Sequence, residues 1–392
     1  MQARALNLVR IHGIDIRLDP SLALIFLLVV YSLGAGLFPN WHPEWPRALA
    51  WSTALAAGVL FFSSLLAHEL AHSIVAQLHG IRVPRITLFV FGGVSELESE
   101  PQAPKTELKI AIVGPLTSLL LGILFSTIGG ALAGESFVET LKTSPANAMA
   151  GLGPAATLFL WLGPVNVVLA IFNLIPGFPL DGGRVLRAAL WWITGDLRRA
   201  TEWASRAGRG FAWALMGLGI WEALGGGLVQ GLWLVLIGWF LNNAARGSYT
   251  QLIMSQTMEA LSVGDLMRTR FESIDAASPL QAFIEEKLLR SDQIAWPVLE
   301  NGRPVGLIGL GSVRAALQSG RSLRAVSDAM AGIDVTTRPS VRGREALKLL
   351  VESHSDPIPV LDGGEIVGLL FHADITRWLA VHEIESRHGV RI

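Results

Sequence analysis

The chain has 392 residues, 51% of them hydrophobic and only 16% charged, with a formal net charge of -1. Soluble domains carry about 25% charged residues, so this is a membrane-protein composition, and the balanced charge excludes the global basic field used by nucleic-acid binders. There is no cysteine, which excludes disulfides, thiolate metal sites and cysteine nucleophiles together and leaves His, Asp or Glu to hold any metal.

Residues 1–20 carry Arg4, Arg10 and Arg17 and lack the apolar core of a cleavable signal peptide. The alternation of Ile14, Ile16 and Leu18 with polar residues predicts a short strand at the membrane surface. Pro20 then opens an apolar segment, 21–38, long enough to span a bilayer. The loop 39–46 after it holds Trp41 and Trp45, which fits an interfacial aromatic belt.

A second apolar segment, 48–78, ends at Gly80 and contains His68-Glu69-Leu70-Ala71-His72. Two His four residues apart lie on one helix face and can bind one metal, and Glu69 between them is placed to take a proton from water at that metal. Ionisable groups inside a membrane-length apolar run are costly and mark function. The stretch 81–95 that follows is β-rich, too short to span and broken by Gly92-Gly93. It reads either as a hairpin or re-entrant strand beside the metal helix, whose open edge would receive an extended peptide, or as a plain connecting loop.

Further apolar segments cover 108–132, 155–175, 210–224 and 228–244, giving about six spans. Six spans put Arg10, Arg17, Arg82, Arg85, Arg184, Arg187, Arg198, Arg199, Arg206, Arg209 and Arg246, with Arg4 and Lys105, on one side, against Arg47 and Lys142 on the other. By the positive-inside rule both termini are cytoplasmic; five or seven spans would break the asymmetry.

The fourth span ends in Asn173-Leu174-Ile175-Pro176-Gly177-Phe178-Pro179-Leu180-Asp181-Gly182-Gly183. Catalytic zinc sites take three protein ligands. Asp181, in a Pro/Gly-interrupted stretch at membrane depth, is the best third candidate beside His68 and His72; its alternative role is to cap the helix that follows. Asn173 is a candidate oxyanion donor, against a plain interhelical hydrogen bond. His79 sits at a helix end, and His12, His42, His354, His372, His382 and His388 fall in loops or the soluble part. A zinc ion on His68, His72 and Asp181 would lower the pKa of water, and Glu69 would pass the proton on to a leaving amine.

After about residue 250 the composition is soluble and two half-repeats appear. Val263-Gly264-Asp265-Leu266-Met267 resembles Val326-Ser327-Asp328-Ala329-Met330, and 295–308 resembles 357–370, each with a tight-turn signal, Asn301-Gly302 or Gly363-Gly364.

Together, His68-Glu69-x-x-His72, Phe91-Gly92-Gly93-Val94 and Asn173-x-x-Pro176-x-x-Pro179-Leu180-Asp181-Gly182-Gly183 resemble the site-2 protease family of intramembrane zinc metalloproteases, peptidase family M50. The resemblance covers residues 1–250, and the layout is similar to the branch with a C-terminal tandem CBS pair. It implies a multi-span α-helical membrane protein with a short membrane-associated β-hairpin or sheet. To this is added a cytosolic α/β CBS pair over 251–392, with repeats at about 261–320 and 323–382. It implies one catalytic Zn²⁺ on His68, His72 and Asp181, Glu69 as general base and Asn173 beside the site. Phe91, Gly92, Gly93 and Val94 would position the substrate, a transmembrane protein such as an anti-sigma factor or membrane-tethered transcription factor.

CBS pairs bind adenosine nucleotides of the ATP or AMP type in many proteins and often form homodimers. The acidic residue that contacts nucleotide is kept as Asp374 in the second repeat, while the first has Ser312-Val313-Arg314 near that position. Two other classes compete with a protease in the lipid bilayer. A transporter or channel would spread polar residues over several spans, whereas here they cluster in two motifs. An inactive binding protein would be expected to lose Glu69 or a ligand, and neither is lost.

Overall fold

The computed structural model describes residues 6–135, 137–318, 323–353 and 355–378. Arg4, His354, His382, His388 and the end of the second repeat lie outside the described residues. The chain divides into two compact units, Met1–Thr250 and Gln251–Ile392.

The first unit opens with a four-stranded sheet in the order β1 (Leu6–Ile11), β2 (Ile14–Leu18), β3 (Arg85–Phe89), β4 (Gly92–Glu96). The β1–β2 turn is His12-Gly13, both with positive φ. The alternation at 14, 16 and 18 has its cause here. Ile14 and Ile16, with Ile86 and Leu88 of the parallel neighbour β3, are buried against Ala76, Ile81, Val83 and Ile110. β3 and β4 form the expected hairpin beside the helix that carries His68 and His72, with Gly92 and Gly93 opening β4 rather than breaking a strand.

Seven helices follow the sheet's first hairpin: α1 (Pro20–Tyr31, extended through Trp41), α2 (Arg47–Leu78), α3 (Pro104–Ala133), α4 (Pro154–Asn173), α5 (Asp181–Thr194), α6 (Leu197–Leu224) and α7 (Leu228–Ala260). Two short helices, Phe137–Thr143 and Pro145–Ala150, fill the loop before α4. Asp19 caps α1 by accepting from Ser21 N at 2.9 Å. Gly80, at φ +80°, ends the turn after α2.

Among the described residues, five helices are long and apolar enough to cross a membrane: Pro20–Trp41, Arg47–Leu78, Pro104–Ala133, Pro154–Asn173 and Leu228–Thr250. The remaining expected span, 210–224, is the second half of α6, whose first half carries Arg198, Arg199, Glu202, Arg206 and Arg209. α3 and α4 approach closely because Gly122, Gly129 and Gly163 leave no room for a side chain against the facing helix. Trp41 and Trp45 are half-buried against the cluster of Val30, Phe38 and Ala54, and Trp45 stacks on buried His42 at 3.9 Å. Both rings thus brace the loop that joins the first two spans.

In the second unit the two half-repeats exchange strands. The strands are β5 (Ile274–Asp275), β6 (Ala295–Glu300), β7 (Arg303–Gly309), β8 (Ala331–Gly332), β9 (Ile358–Asp362) and β10 (Glu365–Leu370). In the first copy β5 runs parallel to β6 and β8 closes on β7. In the second, Thr337 bridges Val360 in parallel and Arg268 bridges Leu369. Each copy thus receives an edge from the other. The equivalent Met residues pack accordingly, Met330 on Gly306 and Met267 on Gly368, where a Cβ would stand 2.6 and 2.5 Å from sulfur.

Candidate metal centre

His68 and His72 lie one helical turn apart on α2, both buried, with their Nε2 atoms 3.2 Å from each other. Asp181 Oδ2, from the first residue of α5, is 3.1 Å from each Nε2. Asp181 is not the side-chain cap of α5: the cap position is Leu180, and the Asp181 carboxylate turns to the two His instead. Gly182 and Gly183 permit this, because a Cβ on either would stand 2.3 Å from backbone atoms of the loop 174–178.

The outer nitrogens decide what this trio can hold. His72 Nδ1 donates to the Ile110 carbonyl at 2.6 Å; a carbonyl only accepts, so the His72 proton sits on Nδ1 and Nε2 presents a lone pair. Ser118 Oγ, 2.9 Å from His68 Nδ1, accepts in the tautomer that frees the other Nε2. Two imidazole lone pairs and a carboxylate oxygen then face one another and repel unless a cation lies among them. Two nitrogens and one oxygen in a buried, cysteine-free pocket suit zinc. Among the described residues this is the group of His, Asp and Glu that could hold a metal.

α3 supplies what sequence reasoning missed. Ile110, Gly114 and Ser118 recur at four-residue spacing and face the two rings. A Cβ on Gly114 would stand 2.1 Å from His72 Nε2 and 2.8 Å from His68 Nε2. The pair Gly114-Pro115 and the hydroxyl of Ser118 in an apolar span were the available signals.

Glu69 is half-buried and points to the hairpin. Ser95 of β4 donates to Glu69 Oε2 at 2.9 Å, and Ser73 joins them through its hydroxyl. A Cβ on Gly93 would stand 2.4 Å from Glu69 Cγ, so this glycine lets β4 lie against the carboxylate. Phe91, in the β3–β4 turn, stacks on Phe240 of α7 with centroids 4.0 Å apart. Val94 is exposed. Asn173 ends α4, and its Nδ2 donates to Leu169 O at 3.0 Å within its own helix. Asn166 makes the equivalent bond to Leu162. His79 bonds Val75 O at the exposed end of α2, apart from the trio, and His42 is a packing residue bonded to Thr157 Oγ1 at 2.8 Å.

In the second unit Asp374 is engaged by a partner of its own chain. Arg268 Nε and Nη2 donate to its two oxygens at 2.6 and 2.7 Å, and the guanidinium lies 4.5 Å from the Phe371 ring centre.

Residues 56–215 match peptidase family M50, and residues 263–319 match the CBS domain. Rip3 of Mycobacterium tuberculosis, named as a zinc metalloprotease, is 35% identical over 388 residues, covering 97% of this chain and 94% of that protein. A zinc metalloprotease of Methanocaldococcus jannaschii is 26% identical over 382 residues, covering 97% and 98%. Among solved structures, the site-2 protease of the same archaeon is 29% identical with a TM-score of 0.42, covering 63% of this chain and 95% of that one. With a relative this similar over nearly its whole length, the chain belongs to peptidase family M50, the site-2 protease family of membrane-embedded zinc metalloproteases, and carries a C-terminal CBS domain.

Proposed function

We propose that this protease hydrolyses a peptide bond in or near a transmembrane segment of another membrane protein, with anti-sigma factors and membrane-tethered transcription factors as the substrate class. The observation that carries the reading is the convergence of His68, His72 and Asp181 at 3.1–3.2 Å with Glu69 adjacent on the same helix. His68 and His72, through Nε2, and Asp181 would hold the zinc. When bound, zinc supplies Lewis-acid polarisation of the scissile carbonyl and a lowered pKa for water.

The chain's own groups do the rest. Glu69 takes the proton of the attacking water and returns it to the leaving amine. Ser95, bonded to Oε2, holds the carboxylate so that its other oxygen is free for that proton. β4 has one edge without a strand partner among the described residues, and an extended substrate segment pairs there beside Glu69. Phe91, Gly92, Gly93 and Val94 position that segment. Asn173 stabilises the oxyanion, exchanging the Leu169 carbonyl for the developing charge.

α6 is the sixth crossing in this reading. Its apolar half, 210–224, rises about 22 Å, and Arg206 and Arg209 reach the interface with their long stems. The Lys/Arg asymmetry then holds, and both termini and the CBS pair are cytoplasmic. The CBS pair regulates the protease, through a homodimer or through an ATP- or AMP-type nucleotide. A nucleotide that uses Asp374 must displace Arg268.

The test is Glu69→Gln in purified protein with a synthetic transmembrane substrate. Zinc is retained and cleavage is lost; unchanged cleavage would reject the assignment. His72→Ala tests the ligands separately, and full zinc retention would reject them.

A further inference from the structure

We infer that Glu107 and Arg187 are positioning residues for Asp181: their buried ion pair sets the register of α5 along α3, and so the reach of Asp181 to His68 and His72. The inference rests on the reading of those three residues as a zinc site.

Glu107, Ile110, Gly114 and Ser118 follow one another at spacings of three, four and four, so they share a face of α3. The last three meet the His rings. Glu107, one turn earlier, has a fully buried side chain and accepts from Arg187 Nε at 2.6 Å and from its Nη2. Arg187 also donates to Glu100 Oε2 at 3.2 Å, and Arg184 Nε lies 3.9 Å from Glu107 Oε1. At 1.5 Å rise per residue, Asp181 to Arg187 spans about 9 Å and Glu107 to Gly114 about 10 Å. The two helices are therefore antiparallel and matched in register, tied by the ion pair at one end and meeting at the proposed ligands at the other. A slide of one residue, about 1.5 Å, would take Asp181 Oδ2 from its 3.1 Å contacts.

Packing alone does not call for these charges. Desolvating a buried pair offsets most of its attraction, and apolar residues hold helices together as well or better. Glu107 Oε2 is buried and has no hydrogen-bond partner among the described residues, which adds to the cost. What the pair contributes is direction, since a planar guanidinium held by Glu107 Oε1 through Nε and Nη2, and by Glu100 through Nη2, fits one register where an apolar contact tolerates several. The same guanidinium lies 5.2 Å from the ring centre of Phe178, three residues before Asp181, and so also fixes the loop leading into the ligand.

The experiment uses the full-length chain in detergent and the double variant Glu107→Leu/Arg187→Met, which removes both charges at similar volume. Thermal melting of the metal-free protein and zinc affinity by chelator competition are both measured. The expected result is a melting temperature equal to or above wild type with a zinc dissociation constant raised about 10–100-fold. Zinc affinity within about twofold of wild type, or a loss of affinity matched by a fall in the metal-free melting temperature, would overturn the inference. The single change Glu107→Gln, which leaves the buried Arg187 charge with only the part-exposed Glu100 as counter-ion, is expected to destabilise the fold, so the double variant decides. If wild type itself binds no zinc, the metal reading fails first, and the affinity of wild type shows which has failed.

Discussion

His72 Nδ1–H donates a hydrogen bond to the carbonyl oxygen of Ile110 at 2.6 Å, and this bond determines which ring nitrogen faces Asp181. The carbonyl belongs to α3, not to the helix that carries the His pair. α3 therefore orients the proposed ligands while contributing none of them, and its glycine at 114 leaves the space in which they meet.

Gly114→Ala is expected to abolish metal binding without unfolding the chain. The added methyl would stand 2.1 Å from His72 Nε2, and buried rings locked at Nδ1 have nowhere to retreat. Metal analysis of the purified variant should find zinc far below one equivalent while circular dichroism keeps its helical signal. Full occupancy would show that the rings can shift.

Gly93→Ala separates the base from the metal. Its methyl would meet Glu69 Cγ at 2.4 Å and displace the carboxylate or push β4 away. Zinc content should stay at the wild-type value while kcat falls by roughly 10²-fold, the lower range for loss of a positioned general base. Loss of zinc instead would mean that Glu69 and the ligands do not move separately.

Ser118→Ala should be milder. It removes the acceptor at 2.9 Å from His68 Nδ1 and leaves that nitrogen buried without a partner, at a cost of about 1–3 kcal/mol. Zinc affinity is expected to fall about 10-fold, with activity recovered at high zinc. Ser118→Thr, which keeps the hydroxyl, should bind more tightly than Ser118→Ala. An alanine variant indistinguishable from wild type would remove Ser118 from the site.

Arg268→Ala tests the nucleotide reading of the CBS pair. Wild type has both oxygens of Asp374 occupied by Arg268, so calorimetry with ATP or AMP should show weaker heat for wild type than for the variant. A variant that still gives no heat at millimolar nucleotide would exclude Asp374 as a nucleotide contact and favour the dimer role.

The parts of the molecule that local pattern governs could be read in the residues. His68 and His72 are four residues apart on one helix, with Glu69 between them, so 3.6-residue periodicity alone brings the two rings together. The spans followed from runs of apolar side chains, and the tight turns of the second unit from Asn301-Gly302 and Gly363-Gly364, whose glycines adopt positive φ. The reading of 210–224 as an isolated span missed that the helix begins at Leu197, because a charged amphipathic first half has no apolar run to mark it.

What pattern could not supply is partnership across the chain. Asp181 stands 109 residues from His72, and the cap and ligand roles open to it are distinguished by where α5 packs, not by its neighbours. Gly114 and Ser118 look like ordinary small residues of a membrane helix until α3 is laid against α2. Asp374 looks available for a ligand until Arg268, 106 residues away, is folded onto it. Spacing and periodicity act over one or two helical turns, and the sequence by itself determined the His pair, the Glu69 between them and the apolar segments around them. The third proposed ligand, the tautomers and the clearance at the metal depend on helix register, which the packing of distant side chains decides.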